Sequence, residues 1–172
     1  MSRIDPSKNI DNAINLAKIL NEKKIGKGMI IVGSLNLYFH EYYKKLKKMV
    51  MDLNLNDYVT FEIVAIFDKL LSFMRKCKAY FCPRSGEHFG MSIVETMSTG
   101  LISIVPDIGG QTEFVPSKYH FNTIKQAAKL VLFALSAPYA DRIAISNSVA
   151  KFSTSNYKRR YQQAVSGLLE SI

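Results

Sequence analysis

The sequence predicts an α/β fold, a parallel sheet with helices on both faces. Three observations carry this. Short apolar runs of strand length alternate with longer segments whose apolar residues recur at helical spacing. One of those runs, Met29-Ile30-Ile31-Val32, is apolar throughout, as a strand covered on both faces requires. The length of 172 residues and the balance of apolar and charged residues suit one globular domain with one core.

The first predicted helix runs from Pro6 to about Glu22. Ile10, Ile14, Leu16, Ala17 and Leu20 are helically spaced, and Asp5-Pro6 supplies an N-cap followed by a first-turn proline. Met29–Val32 predicts a buried strand that leads through Gly33-Ser34 into a basic helix. There Lys44 and Lys48 share one face with Lys45 and Lys47 beside them, while Tyr43, Leu46 and Val50 turn inward, so the run is a solvated helix face. A strand at 57–61, a helix at about Phe67–Lys76, a strand at Ala79–Cys82, a helix at about Gly90–Thr99 and a strand at Ile102–Val105 follow. From about Thr123 the chain is predicted helical to its end, through Ala127, Leu130, Val131 and Leu135 and then Ala164, Leu168 and Leu169. Alternation of this kind makes parallel βαβ units. A doubly wound domain begins with the strand that becomes the middle of its sheet. Here the first predicted element is a helix, so that strand is missing.

Composition narrows the chemistry. No apolar run approaches the roughly 18 residues that span a bilayer, and the polar start of the chain is no signal peptide, which predicts a cytosolic protein. Cys77 and Cys82 lack the paired spacing of a zinc site and read as reduced, largely buried thiols. His40, His88 and His120 are scattered, so no metal is expected. With 23 Lys and Arg against 14 Asp and Glu, the formal charge of +9 favours anionic partners, of which phosphate is the common denominator.

The segment richest in chemistry is Ser85-Gly86-Glu87-His88-Phe89-Gly90-Met91-Ser92-Ile93-Val94-Glu95. A strand ends, a turn with two glycines follows, and a helix starts. Ligands of open parallel sheets bind beyond the carboxyl ends of strands, and the free amides of a helix N-terminus accept phosphate. Gly90 is expected to keep a Cβ away from the first amides, with Glu95 near the second turn. Taken singly, Glu87 reads as a first-turn acid and Glu95 as a solvated one. A second turn of the same kind, Pro106-Asp107-Ile108-Gly109-Gly110-Gln111-Thr112-Glu113, follows the next strand; alone, its glycines read as turn geometry.

At these two turns the sequence resembles the retaining glycosyltransferases of family 4, whose GT-B fold has two Rossmann-like domains. The resemblance rests on EHFGMSIVETMSTG and DIGGQTE, above all on the Glu-x-Phe-Gly-x-x-x-x-Glu pattern formed by Glu87 and Glu95. It extends to Ser2-Arg3-Ile4-Asp5-Pro6-Ser7-Lys8-Asn9, where Arg3 and Lys8 match the family's diphosphate-binding Arg and Lys, and Ser2 and Asn9 stand in place of its glycines. It implies that residues 1–172 are a single nucleotide-sugar-binding domain, the C-terminal half of a GT-B fold lacking its first strand, with the N-terminal acceptor domain absent.

Roles follow from the same resemblance. Arg3 and Lys8 would bind the donor diphosphate, with the amides of Phe89, Gly90 and Met91 beside His88. Glu87 would bind hydroxyls of the donor sugar, and Glu95 those of the ribose. Main-chain groups around Val64 and Ala65 would read the base. Catalysis would rest on Glu87, Arg3 and Lys8, with no metal or cofactor and with retention of configuration. The donor would be a UDP- or GDP-linked sugar and the acceptor a saccharide or lipid-linked sugar, so that the isolated chain transfers sugar weakly or not at all. The alternative is a non-catalytic module that binds nucleotide sugar or a partner. An epimerase, a phosphorylase and a nucleic-acid binder are weaker readings. Peripheral membrane contact through the basic helix and homo-oligomerisation are compatible with the sequence.

Overall fold

The computed structural model describes residues 2–63 and 65–169. Its strands are β1 (Ser2–Arg3), β2 (Met29–Ser34), β3 (Val59–Ile63), β4 (Ala79–Phe81), β5 (Ile102–Pro106) and β6 (His120–Phe121). Its helices are α1 (Ile10–Glu22), α2 (His40–Asp52), α3 (Phe67–Lys76), α4 (Met91–Ser98), α5 (Ile124–Ser136), α6 (Tyr139–Ser148) and α7 (Thr154–Leu169).

All strand pairs are parallel, in two three-stranded sheets ordered β1-β2-β3 and β4-β5-β6. Set edge to edge, β1 against β4, this is the 3-2-1-4-5-6 order of the doubly wound fold. Helices lie on both sides: right-handed crossovers on either side of the reversal put α1 and α2 on one face and α4 on the other. The predicted α/β class is therefore observed. Among the described residues β1 comprises Ser2 and Arg3, paired with Gly33 and Ser34 at the end of β2.

Local chemistry accounts for the boundaries. The first predicted helix is split. Asp5 caps a 3-10 turn at Pro6–Lys8 by accepting from the Ser7 amide at 2.9 Å, and Asn9 at φ 50° breaks it from α1. α1 then buries Ile10, Ile14, Leu16, Ala17 and Leu20. On the basic helix α2, Leu46 and Val50 are buried and Tyr43 meets Phe61 edge-on at 5.4 Å, while Lys44 and Lys48 pair outward with Glu41 and Asp52. Cys82 is buried and Cys77 half-buried, both as free thiols.

β5 is buried along its whole length. Arg142 of α6 donates to the carbonyls of Gly100 and Cys77, at 2.9 and 3.3 Å, and so fastens the C-terminal helices to the loops around β5. The predicted C-terminal helix is three helices, separated at Ala137-Pro138 and by the 3-10 turn Ala150–Phe152. The last, α7, buries none of its residues. Among the described residues no helix is long and apolar enough to cross a membrane.

Candidate functional site

The site forms beyond the carboxyl end of β4, beside the end of β1. β4 hands over to the turn 82–90, and α4 starts at Met91, so Glu87 sits before the helix rather than in its first turn. Gly90 caps α4 at φ 90°, accepting from the amides of Ile93 at 2.9 Å and Val94 at 3.2 Å. A Cβ at Gly90 would meet the Ile93 side chain at 2.6 Å. The end of the Ile93 side chain can turn aside, so it is the left-handed backbone that calls for glycine. The amides of Met91 and Ser92, ahead of those of Ile93 and Val94, have no intrahelical acceptor and carry the positive end of the helix dipole.

Glu87 is the hub. Its Oε2 lies 3.2 Å from Nη1 of Arg84 and 3.6 Å from Nζ of Lys8, and all three side chains are between 18 and 29% exposed. Lys8 arrives from the turn that follows β1, whereas Arg84 comes from the end of β4. One carboxylate therefore holds two cations from the two half-sheets at the mouth of a helix N-terminus. Partial shielding from water strengthens those interactions relative to open surface pairs.

The second glycine turn supports the first. Glu87 forms a parallel bridge with Gly109, and the Gly110 amide donates to the Glu87 carbonyl at 2.8 Å. A Cβ on Gly110 would stand 1.8 Å from the His88 carbonyl oxygen, and one on Gly109 2.7 Å from that of Glu87. These glycines do more than satisfy their own turn; they let it press against the backbone that carries Glu87. Gln111, fully buried, donates to the carbonyls of Ile108 at 2.7 Å and Pro106 at 3.3 Å and fixes this second turn from within. His120 closes it, with Nε2 donating to the Val115 carbonyl and Nδ1 facing Asp107, both at 2.9 Å.

Phe89 turns into an aromatic cluster, with ring centroids 5.4 Å from Phe114 and 5.2 Å from Phe152. It anchors the turn, while His88 and Met91 are exposed beside it. Tyr80 of β4 and Ser92 of α4 share a hydroxyl hydrogen bond of 3.0 Å. Burial pushes the Tyr80 hydroxyl far up, and Cys82 and the carboxylates of Glu87 and Glu95 add to the effect. Both acids thus act on one ring.

The sequence-derived residues fare differently. Lys8, Glu87, Phe89, Gly90 and Met91 come together around the end of β4, with His88 at the rim and Glu95 exposed one turn along α4. Arg3 turns its 70% exposed guanidinium toward Asp5, 3.5 Å away, beside the turn that presents Lys8. Val64 lies outside the described residues. Ala65, which follows the outermost strand β3, packs its side chain against the cluster of Leu70, Met74 and Leu101. Sequence reasoning missed Arg84 and Tyr80: Arg84 lies just ahead of the segment Ser85–Glu95, and Tyr80 reads as one more residue of a strand. Among the described residues no group of three His, Cys, Asp or Glu could hold a metal ion.

Comparison with known proteins gives this geometry its context. Residues 1–152 match the family described as glycosyl transferases group 1. A GDP-Man:Man(3)GlcNAc(2)-PP-Dol alpha-1,2-mannosyltransferase of Neurospora crassa is 31% identical over 143 residues, 77% of this chain and 26% of that protein. Among solved structures, Anabaena Alr3699/HepE in complex with UDP superposes with a TM-score of 0.77 at 19% identity, covering 100% of this chain and 48% of the other. The C-terminal domain of the Francisella tularensis group 1 glycosyl transferase LpcC superposes at 0.72 with 19% identity, covering 91% of this chain and 83% of that domain. The chain spans between 20 and 31% of the length of the curated mannosyltransferases it matches. It belongs to the glycosyl transferases group 1 family and has the fold of a GT-B glycosyltransferase domain.

Proposed function

We propose that this chain is the donor-binding domain of a retaining glycosyltransferase of family 4, that it holds a nucleotide-diphosphate sugar, and that its cations stabilise the departing diphosphate. One observation carries the reading: Lys8 and Arg84, from opposite half-sheets, converge on Glu87 at the N-terminus of α4. Breaking a sugar–phosphate bond leaves a diphosphate with added negative charge. Positive groups already held in place stabilise that charge without reorganising. Arg84 presents a fork suited to two phosphate oxygens, Lys8 a point charge, and α4 its free amides.

Glu87 holds both cations ready and binds hydroxyls of the donor sugar as they turn to phosphate. Glu95 accepts from the ribose, and Arg3 swings from Asp5 to the outer phosphate. No metal is required in this scheme, because two or three cations and a helix dipole meet the diphosphate. The donor is GDP-linked. The relative with the higher identity is named for GDP-mannose, while the UDP complex is only 19% identical. The acceptor belongs to a part of the enzyme outside this domain, so sugar transfer by residues 1–172 alone is weak or absent.

Calorimetric titration with GDP and UDP tests this. GDP is expected to saturate one site. Lys8→Ala and Arg84→Ala are each expected to weaken it about tenfold, or about 1.4 kcal/mol, with Glu95→Ala also weaker. Absence of saturable binding by either nucleotide, or affinities unmoved by all three substitutions, would refute the assignment.

A further inference from the structure

Lys8 reaches Glu87 from outside the turn that carries the acid, and its side chain is only 18% exposed. Neither a strand nor an α-helix holds it. It is the last residue of the three-residue 3-10 turn Pro6–Lys8. A turn of that length is weak on its own, because it fixes several backbone dihedrals for few hydrogen bonds of poor geometry. The Lys8 ammonium stays beside Glu87 only as far as the turn itself is held.

Asp5 holds it. Its extended backbone, at φ −143° and ψ 159°, is that of a helix N-cap. Oδ1 accepts from the Ser7 amide at 2.9 Å and from the Ser7 hydroxyl, and the Asp5 carbonyl accepts from the Lys8 amide at 3.1 Å. At the other end the Asn9 amide donates to the Pro6 carbonyl at 3.2 Å. Buried Ile4, whose amide donates to the Ser34 carbonyl at 2.8 Å, and buried Ile10 anchor the flanks. Asp5 is itself only 4% exposed, an uncommon place for an acid that does no more than face water. Its other oxygen, Oδ2, is buried, accepts no hydrogen bond among the described residues and lies 3.5 Å from Nε of Arg3. The two oxygens thus divide the work: Oδ1 caps, which requires an acceptor, and Oδ2 supplies charge.

We propose that Asp5 is a positioning residue for Lys8, which by capping the turn Pro6–Lys8 keeps the ammonium beside Glu87, where the donor diphosphate is received. The role rests on the nucleotide site proposed above. Asp5 acts through Lys8 and not on the phosphate.

Four substitutions separate capping from charge. Asp5→Asn and Asp5→Ser keep an acceptor at the cap, and Asp5→Ala removes it. Asp5→Glu keeps the charge but carries its carboxylate one methylene too far to cap, and stands in for Asp5→Ala should that variant fold poorly. Calorimetric titration is expected to find GDP binding weakened about fivefold in Asp5→Ala and Asp5→Glu, the effect of one lost cap, and restored in Asp5→Asn and Asp5→Ser. In a Lys8→Ala background Asp5→Ala is expected to change the affinity no further. A loss of equal size with and without Lys8, or one shared by Asn and Ser, would overturn the role. A second readout needs no nucleotide. The NMR shifts of Lys8 Cε and its protons are expected to move on Glu87→Gln in the wild-type chain and in Asp5→Asn, and to stay unmoved in Asp5→Ala and Asp5→Glu. Equal movement in all of them would show that the cap does not position Lys8. Failure of the wild-type chain to bind GDP would refute the nucleotide reading alone, and the Lys8 shifts would still decide the role of Asp5.

Discussion

Gly110 shows how much a single hydrogen carries in this site. A methyl group there would overlap the His88 carbonyl at 1.8 Å, and a backbone atom cannot swing aside as a side chain can. Gly110→Ala is therefore expected to push the second turn off Glu87, destabilising the domain by about 3 kcal/mol, as overpacking in a tight site does, and to weaken nucleotide binding with it. Gly86 is the contrast: its Cβ would meet nothing within 4 Å, but its φ is +69°. Gly86→Ala is expected to lose about 1 kcal/mol, from left-handed strain alone. Urea denaturation of both variants measures the difference, and equal losses would show that the contact between the turns is unimportant.

The residues the sequence made legible are those whose chemistry is written into a contiguous turn. Glu87, Phe89 and Gly90 adjoin one another, so a strand end, a glycine turn and a helix start could be read together. Lys8 was readable through the resemblance of its turn. Arg84 was not, because its meeting with Glu87 depends on how the turn 82–90 folds back, which no spacing encodes. Gly109 and Gly110 read only as turn residues for the same reason: their partner is a backbone 22 or so residues away in sequence, brought close by β5.

At the scale of elements, helices and strands follow the apolar pattern, and where caps and pairing decide, their ends shift, by four residues at the start of α1 and by one or two at most others. α3 occupies the predicted range; β2 runs two residues further because Gly33 and Ser34 find partners in β1 and β3. The two-residue β6 was illegible, since its pairing with Val105 and Pro106 leaves no periodicity. The same pattern predicts unequal contributions from chemically similar strands. Ile104 of β5 is fully buried in the core, whereas Ile31 of β2 is half-buried and lines a cavity of about 580 Å³ between β2 and β4. Ile104→Ala is expected to destabilise by about 3 kcal/mol and Ile31→Ala by about 1 kcal/mol, since the second removes fewer packed contacts. Comparable losses in chemical denaturation would mean that β2 is packed as tightly as β5.

The whole molecule is two half-sheets that share one site. Their helices are held together by the packing of α1 on α5, and at the ligand end Lys8 and Arg84 meet on Glu87 from either side. A nucleoside diphosphate bound there, as proposed, would contact both halves at once. The net charge of +9 attracts anions generally, and the basic face of α2 and the Lys158-Arg159-Arg160 run of α7 offer competing places for them to settle.

Hydrogen exchange with and without saturating GDP separates these outcomes directly. The account predicts slowed exchange in two stretches together, the turn at Pro6–Lys8 and the segment from Arg84 to Ser92, with α2 and α7 unchanged. Protection confined to α2 or α7, or to neither stretch of the site, would contradict the claim that this domain holds a nucleotide sugar at the end of β4.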